Sequence, residues 1–183
     1  GGFVVARRPA GRDAAEDLPA QARADRELRR RTARAEQTDF DTFQFDYDWR
    51  RDLIESAHEF GRFLERRRRA VAEARGVPPR EVRFDLLAHS MGGLVARYFL
   101  MYGFADPPED GPLPEITWAG AEFFGRVVFV APPNAGSVIA MDNLINGKEL
   151  GPLQPFYPAP MLATHPAAYQ LMPRSRHNRG LMA

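Results

Sequence analysis

The chain has 183 residues and a formal net charge of +1, from 25 basic and 24 acidic residues, and 44% of its residues are apolar. This length and composition predict one soluble globular domain, and the small net charge offers no long-range field that would favour nucleic acid as a partner. Because the sequence contains no cysteine, a disulfide, a thiolate nucleophile and a cysteine-bound zinc ion are excluded.

The sequence contains no apolar run near the roughly 20 residues that a membrane-spanning helix needs, and its N-terminus lacks the charged-then-apolar layout of a signal peptide. Gly1 is not a start methionine, and the last residues stop without a closing element. We therefore interpret the chain as a fragment of a longer protein, which leaves its compartment open.

The first forty residues show little apolar patterning. Residues 2–5 are a short apolar stretch, and residues 6–38, rich in Ala, Arg and Glu, are predicted to be a helical or loop insertion. Mixed charge runs usually face solvent, so we assign no chemistry to this segment. From Asp39 onward, aromatic and polar residues alternate with the period of a strand, which we place at about 41–47.

Strand and helix patterns alternate along the remaining sequence. After the strand at 41–47, helical spacing is followed by a strand pattern, a second helix and a second buried strand, at 51–75, 82–88, 92–102 and 126–131. This βαβαβ order predicts an α/β fold with a parallel sheet and right-handed crossovers, and ligands collect at the carboxyl ends of such strands.

The run Asp-Leu-Leu-Ala-His-Ser-Met-Gly-Gly at 85–93 has the pattern of a nucleophile elbow. A serine hydroxyl is a poor nucleophile, and a tight strand-to-helix turn projects it toward a base and oxyanion donors. Ser90 is the predicted nucleophile, and the small residues Ala88 and Gly92 let the turn close, with Ala88 in the place of the usual glycine. The backbone N–H of Met91 is the predicted oxyanion donor.

A competing interpretation is that Ser90 merely caps the following helix. The predicted strand before the serine and the amphipathic helix after it favour the nucleophile. Asp142, His165 and His177 have the chain order of triad partners. We assign none of them, because Asp142 falls inside a helical stretch and neither histidine follows a predicted strand.

Four other features have structural interpretations. His89 is expected to point away from the serine and His58 to lie on the surface of its helix, while Ser137 most simply caps the helix that follows it. The block at 47–50, Tyr-Asp-Trp-Arg, could form a structural ion pair or line the pocket, and we favour structure. No histidine pair has metal-ligand spacing and no phosphate-binding loop is present, so we expect neither a metal nor a cofactor.

Three blocks, in order, resemble the lecithin:cholesterol acyltransferase-like branch of the α/β-hydrolases, including its bacterial members. They are Phe-Asp-Tyr-Asp-Trp-Arg-Arg at 45–51, Ala-His-Ser-Met-Gly-Gly-Leu-Val-Ala-Arg at 88–97 and Val-Ala-Pro-Pro-Asn-Ala-Gly-Ser at 130–137. A weaker block at 164–174 resembles the cap region of that family. The resemblance covers about residues 40–175.

This resemblance implies an α/β-hydrolase fold with a mostly parallel sheet and helices on both faces, incomplete because the terminal strands are missing. It implies that residues 1–183 form one partial domain, that 151–175 form a cap or lid, that Ser90 is the acyl-accepting nucleophile and that Met91 gives an oxyanion donor. The further oxyanion donor, the acid and the histidine of the family match no position in this sequence.

The expected function is that of a serine hydrolase or acyltransferase that cleaves ester bonds, in lipids by the family resemblance, through an acyl-enzyme on Ser90. The alternative is a non-catalytic α/β scaffold or binding module, which the missing acid and histidine favour. The expected partner is an ester or lipid substrate, compatible with transient contact with a lipid surface. The acyl acceptor, water or an alcohol, and the oligomeric state stay open.

Overall fold

The computed structural model describes residues 2–7, 41–108, 114–148 and 157–173. In these ranges the strands are β1 (Gly2–Arg7), β2 (Asp41–Asp46), β3 (Phe84–His89) and β4 (Phe124–Val130). The α-helices are α1 (Leu53–Arg75), α2 (Met91–Tyr102), α3 (Val138–Asn146), α4 (Ala159–Leu162) and α5 (Pro166–Gln170). The predicted order of strands and helices between residues 41 and 131 is confirmed, with bounds that differ by one to two residues.

Strand β1 is an element that the sequence did not reveal. The sheet has the order β2-β1-β3-β4, and β1 pairs antiparallel with both of its neighbours, while β3 and β4 pair in parallel. Strands β2, β3 and β4 therefore run in one direction, as predicted, and β1 runs against them. Because Ala6 and Arg7 belong to β1, the insertion predicted at 6–38 begins too early, and its remaining residues lie outside the described ranges.

Helices α1 and α2 pack on the same face of the sheet. Phe84, Leu86 and Ala88 of β3 are buried beneath them, whereas Leu87, on the opposite face, is 45% exposed. The chain moves from β2 to β3 to β4 in one direction across the sheet, and right-handed crossovers that proceed in one direction place their helices on one face. In the part of the chain that the structure describes, the predicted cover of helices on both faces is therefore not found.

The core is an aromatic cluster centred on Phe60 of α1, which is fully buried. Its ring lies 5.3 Å from that of Phe45, 5.7 Å from that of Phe99 and 6.2 Å from that of Phe124, measured between centroids. The side chain of Phe60 thus joins α1 and α2 to β2 and β4. Contacts of this kind stabilise the packing of the two helices on the sheet that carries the candidate site.

The ends of α1 follow the residues expected from its sequence. Asp52 caps the N-terminus, and Gly76 ends the helix in the left-handed conformation, with φ of 63°. None of the helices in the described ranges is long and apolar enough to cross a membrane.

Candidate active site

Ser90 forms the whole turn between β3, which ends at His89, and α2, which begins at Met91. Its backbone has φ of 53° and ψ of −132°, a region that residues with a Cβ rarely adopt. Such a conformation costs about 1–3 kcal/mol, and the bond from the Ser90 N–H to the Val130 carbonyl, 2.9 Å long, helps to hold it. The strained strand-to-helix turn predicted for Ser90 is present.

The side chain of Ser90 is exposed and does not cap α2. It stands at the N-cap position, yet its hydroxyl accepts no hydrogen bond from the first turn of the helix. The interpretation of Ser90 as a simple helix cap is therefore wrong. Ser90 therefore combines a positive φ with an exposed hydroxyl that makes no capping bond.

The residues around Ser90 have the sizes that the turn requires. Ala88 is fully buried and Gly92 is buried within the first turn of α2. Met91 is the first residue of α2, so its N–H has no acceptor inside the helix. This donor and the positive end of the helix dipole both face the start of the helix, where Ser90 lies.

Gly93 allows α2 to approach the chain that leaves β4. A Cβ at this position would lie 2.7 Å from the Cβ of Pro132 and 3.5 Å from Cδ1 of Phe129. The first of these distances is too short for two carbon atoms, and the proline ring has little freedom to move away. The absence of a side chain at position 93 therefore permits the close packing of α2 against this part of the chain.

We expect Gly93→Ala to destabilise the protein by about 1–3 kcal/mol, because the added methyl group overpacks the contact with Pro132. Urea unfolding followed by circular dichroism measures this change. The matched control is Gly76→Ala, since a Cβ at Gly76 meets nothing within 4 Å and its cost is backbone strain at φ of 63° alone. Wild-type stability of the Gly93→Ala variant would contradict the packing described here.

The block that follows β2 is held together by an ion pair. The Arg50 guanidinium donates to both carboxylate oxygens of Asp48, at 2.8 and 2.7 Å, and holds the pKa of that carboxyl well below its usual range. Tyr47 is buried against Phe45, and burial raises the pKa of its hydroxyl to about 12. The structural interpretation of this block is confirmed.

The candidate triad partners within the described ranges have other roles. Asp142 is exposed on α3 and accepts a hydrogen bond from Asn146 at 2.7 Å. His165 is buried with its ring edge-on to Trp49, at 5.5 Å between centroids. His177 lies outside the described ranges. In the part of the chain that is described, no hydrogen bond joins the Ser90 hydroxyl to an acid or a histidine.

Of the remaining polar candidates, Ser137 has its predicted role and His58 does not have its predicted position, while the direction of the His89 side chain relative to Ser90 stays a prediction. Ser137 caps α3 by accepting from the Ala140 N–H at 3.2 Å, and His89 is exposed at the end of β3. His58 was expected on the surface, but only 12% of its side chain is exposed, and its ring packs between those of Tyr98 and Phe104. The prediction was wrong because α2 and the chain that follows it cover this side of α1.

Residues 157–173, here called the cap segment, contact the chain that follows β2 and the chain that follows β4. Gln170 bonds to the start of α1, and the Leu171 carbonyl accepts from the Ser137 N–H at 2.7 Å, just before α3. Gln170 was not predicted, because hydrogen bonds between a polar side chain and partners over a hundred residues away leave no periodic signal in the sequence. Among the residues described, no group of His, Asp and Glu side chains could hold a metal ion.

The strand, the turn at positive φ and the helix have the arrangement of a nucleophile elbow, which defines the class of the α/β-hydrolases. Comparison with protein families matches residues 37–179 to the lecithin:cholesterol acyltransferase family. The match includes β2, β3, β4 and the cap segment, and the chain belongs to this family. Searches of curated proteins and of solved structures gave no significant match.

Proposed function

We propose that this protein is a lipid esterase or O-acyltransferase in which Ser90 is the nucleophile. The observation that carries the proposal is the backbone of Ser90, strained at φ of 53° with a hydroxyl that caps nothing. Strain of this kind persists where the surrounding structure enforces it, and it is concentrated at functional sites. Membership of the lecithin:cholesterol acyltransferase family supports the same reaction class.

In the proposed reaction, the Ser90 oxygen attacks the acyl carbon of the ester and passes its proton to a base. The tetrahedral oxyanion accepts a hydrogen bond from the Met91 N–H, and the alcohol leaves with the proton from the base. Water or a second alcohol then attacks the acyl-enzyme and releases Ser90. Both acceptors use the same first step, so the geometry of Ser90 is compatible with either.

The apolar surface of the chain that follows β4 favours a substrate with an apolar acyl group. Helix α3 follows β4 and exposes Val138, Ile139 and Ile145 by 68%, 72% and 69%. The Ser90 N–H bonds to the last residue of β4, so α3 begins eight residues beyond a direct neighbour of the nucleophile. Apolar surface at this edge of the sheet is suited to lipid chains or a lipid surface.

The proposal needs an acid and a histidine, and we propose that both come from outside this sequence, as the family resemblance implies. The free Ser90 hydroxyl and the other partners of Asp142 and His165 support this assignment. A nucleophile without its base reacts slowly. The tests of activity therefore require the product of the complete gene.

Covalent trapping tests the proposed nucleophile. We expect a fluorophosphonate probe to label the product of the complete gene on the peptide that contains Ser90, as located by mass spectrometry. We also expect Ser90→Ala to abolish the label, while Ser137→Ala, at a partly buried serine that caps α3, labels as the wild type does. Labelling that persists in Ser90→Ala would disprove the assignment.

The alternative is a non-catalytic scaffold with the same fold. The absence of a hydrogen-bonded acid or histidine at Ser90 in the described ranges favours it. A scaffold has no need for a strained serine, and the strain favours the enzyme. Absence of any label on the complete protein would support the scaffold.

A further inference from the structure

The side-chain amide of Gln170 joins the cap segment to the start of α1. Its Oε1 accepts a hydrogen bond from the Leu53 N–H at 2.9 Å, and its Nε2 donates to Asp52 Oδ2, also at 2.9 Å. Both bonds are partly buried and connect positions 117 and 118 residues apart in the sequence. The amide of Gln170 thus satisfies one hydrogen-bond donor, the Leu53 N–H, and one acceptor, Asp52 Oδ2.

The hydrogen bonds of Asp52 explain why the side chain at position 170 has to be an amide. Its Oδ1 already accepts from the N–H groups of Ile54 and Glu55, at 2.7 and 3.3 Å, and so caps α1. Only Oδ2 is left for the cap segment, and it needs a donor. A glutamate at position 170 would keep the bond from Leu53 but would place a second carboxylate against that of Asp52.

The residues after Gln170 contact the chain that leaves β4. Leu171 accepts from the Ser137 N–H, and the Met172 carbonyl lies so close to Gly136 that a Cβ there would come within 2.3 Å of it. Ser90 follows β3, which lies between β2 and β4 in the sheet. The cap segment is therefore attached to the chain that follows β2 and to the chain that follows β4, on either side of the turn at Ser90.

We propose that Gln170 is a positioning residue, which holds the cap segment beside Ser90 so that this segment forms one wall of the site for the acyl chain. The inference rests on the proposed esterase or acyltransferase function. Gln170 acts through the segment that it holds. Met161 and Tyr169, 45% and 51% exposed, give the segment apolar surface for such a chain.

Kinetics of Gln170→Glu in the product of the complete gene test the proposal. We expect the KM for p-nitrophenyl decanoate to rise about tenfold. The variant loses the hydrogen bond to the Asp52 carboxylate and gains repulsion between two carboxylates. The kcat, and the KM for p-nitrophenyl acetate, should stay within about twofold, because a short acyl group does not reach the wall. A general loss of structure would not discriminate between the two esters.

A compensating variant keeps the test independent of folding defects. In the double variant Asp52→Asn with Gln170→Glu, the introduced amide can donate to the introduced carboxylate, which still accepts from Leu53. We expect the KM for the decanoate to return to within about twofold of the wild type. The matched control is Gln44→Glu, since the amide of Gln44 also donates to an aspartate, at 3.0 Å, but on the exposed surface.

Tryptophan fluorescence reports the position of the cap segment without any reaction. The sequence has two tryptophans, and Trp118→Phe leaves only Trp49, whose ring contacts His165 of the cap segment. In this background, Gln170→Glu should increase the quenching of Trp49 by acrylamide. The double variant should restore it, and Gln44→Glu should not alter it.

Each result bears on the proposal. Unchanged Trp49 quenching in Gln170→Glu would overturn the positioning role, and an unchanged decanoate KM despite increased quenching would overturn the acyl wall. A double variant that does not recover would overturn the pairing of Gln170 with Asp52. A wild type that hydrolyses neither ester would refute the proposed function and the wall with it, while Trp49 quenching would still decide whether Gln170 holds the segment.

Discussion

Ser90→Ala is expected to lower kcat/KM for ester hydrolysis by at least about 10³-fold in the product of the complete gene, because the acyl-enzyme cannot form without the hydroxyl. Ser90→Gly should lose as much activity but gain stability. Glycine adopts a positive φ without strain, so we expect its free energy of unfolding to exceed that of Ser90→Ala by about 1 kcal/mol. Steady-state kinetics and urea unfolding measure the two effects.

The control for both Ser90 variants is Ser137→Ala. This serine caps α3 through its hydroxyl, and its loss should cost about 1 kcal/mol of stability while activity is retained. The two serines are thus expected to give opposite patterns, with loss of activity at the strained Ser90 and loss of stability alone at Ser137. Equal loss of activity in the two alanine variants, or a Ser90→Gly variant less stable than Ser90→Ala, would refute this division.

Phe60→Ala is expected to destabilise the protein by about 3–5 kcal/mol, which is a large part of the total stability of a domain. The side chain is fully buried and contacts the rings of Phe45, Phe99 and Phe124. Its removal leaves a cavity where two helices and two strands meet. The midpoint of urea unfolding, with an unchanged slope, measures the loss.

Phe104→Ala is the matched control for this substitution. Phe104 is 44% exposed and contacts Phe99 from the edge of the cluster. Because it is only partly buried, we expect Phe104→Ala to lower the free energy of unfolding by no more than about 1.5 kcal/mol. A Phe60→Ala variant as stable as Phe104→Ala would show that the cluster does not organise the core.

The parts of the fold that depend on local sequence were predictable. Helix α1 was evident from Leu53, Ala57 and Phe60, which recur at helical spacing, and from the glycine that ends it. The strand-to-helix turn at Ser90 was predictable because its small residues and its serine are close together in the sequence. Its positive φ is a property of the same few residues.

The parts that depend on distant partners were not predictable. Strand β1 is defined by backbone bonds to β2 and β3, and its few apolar residues carry no alternation that marks them. The face on which both helices lie follows from the order of strands, which a sequence does not display. The burial of His58 and the hydrogen bonds of Gln170 arise from contacts with distant parts of the chain, and the spacing of apolar residues carries no information about such contacts.

The link between Gln170 and Leu53 has a consequence for the order of folding. It closes a loop of 117 residues, and contacts between such distant positions form late, because the chain entropy lost on closing a loop grows with its length. Once the intervening strands and helices have folded, most of that chain entropy has already been lost. We therefore expect the strained turn at Ser90 to be in place before the cap segment docks, so that folding ends with the attachment of this segment.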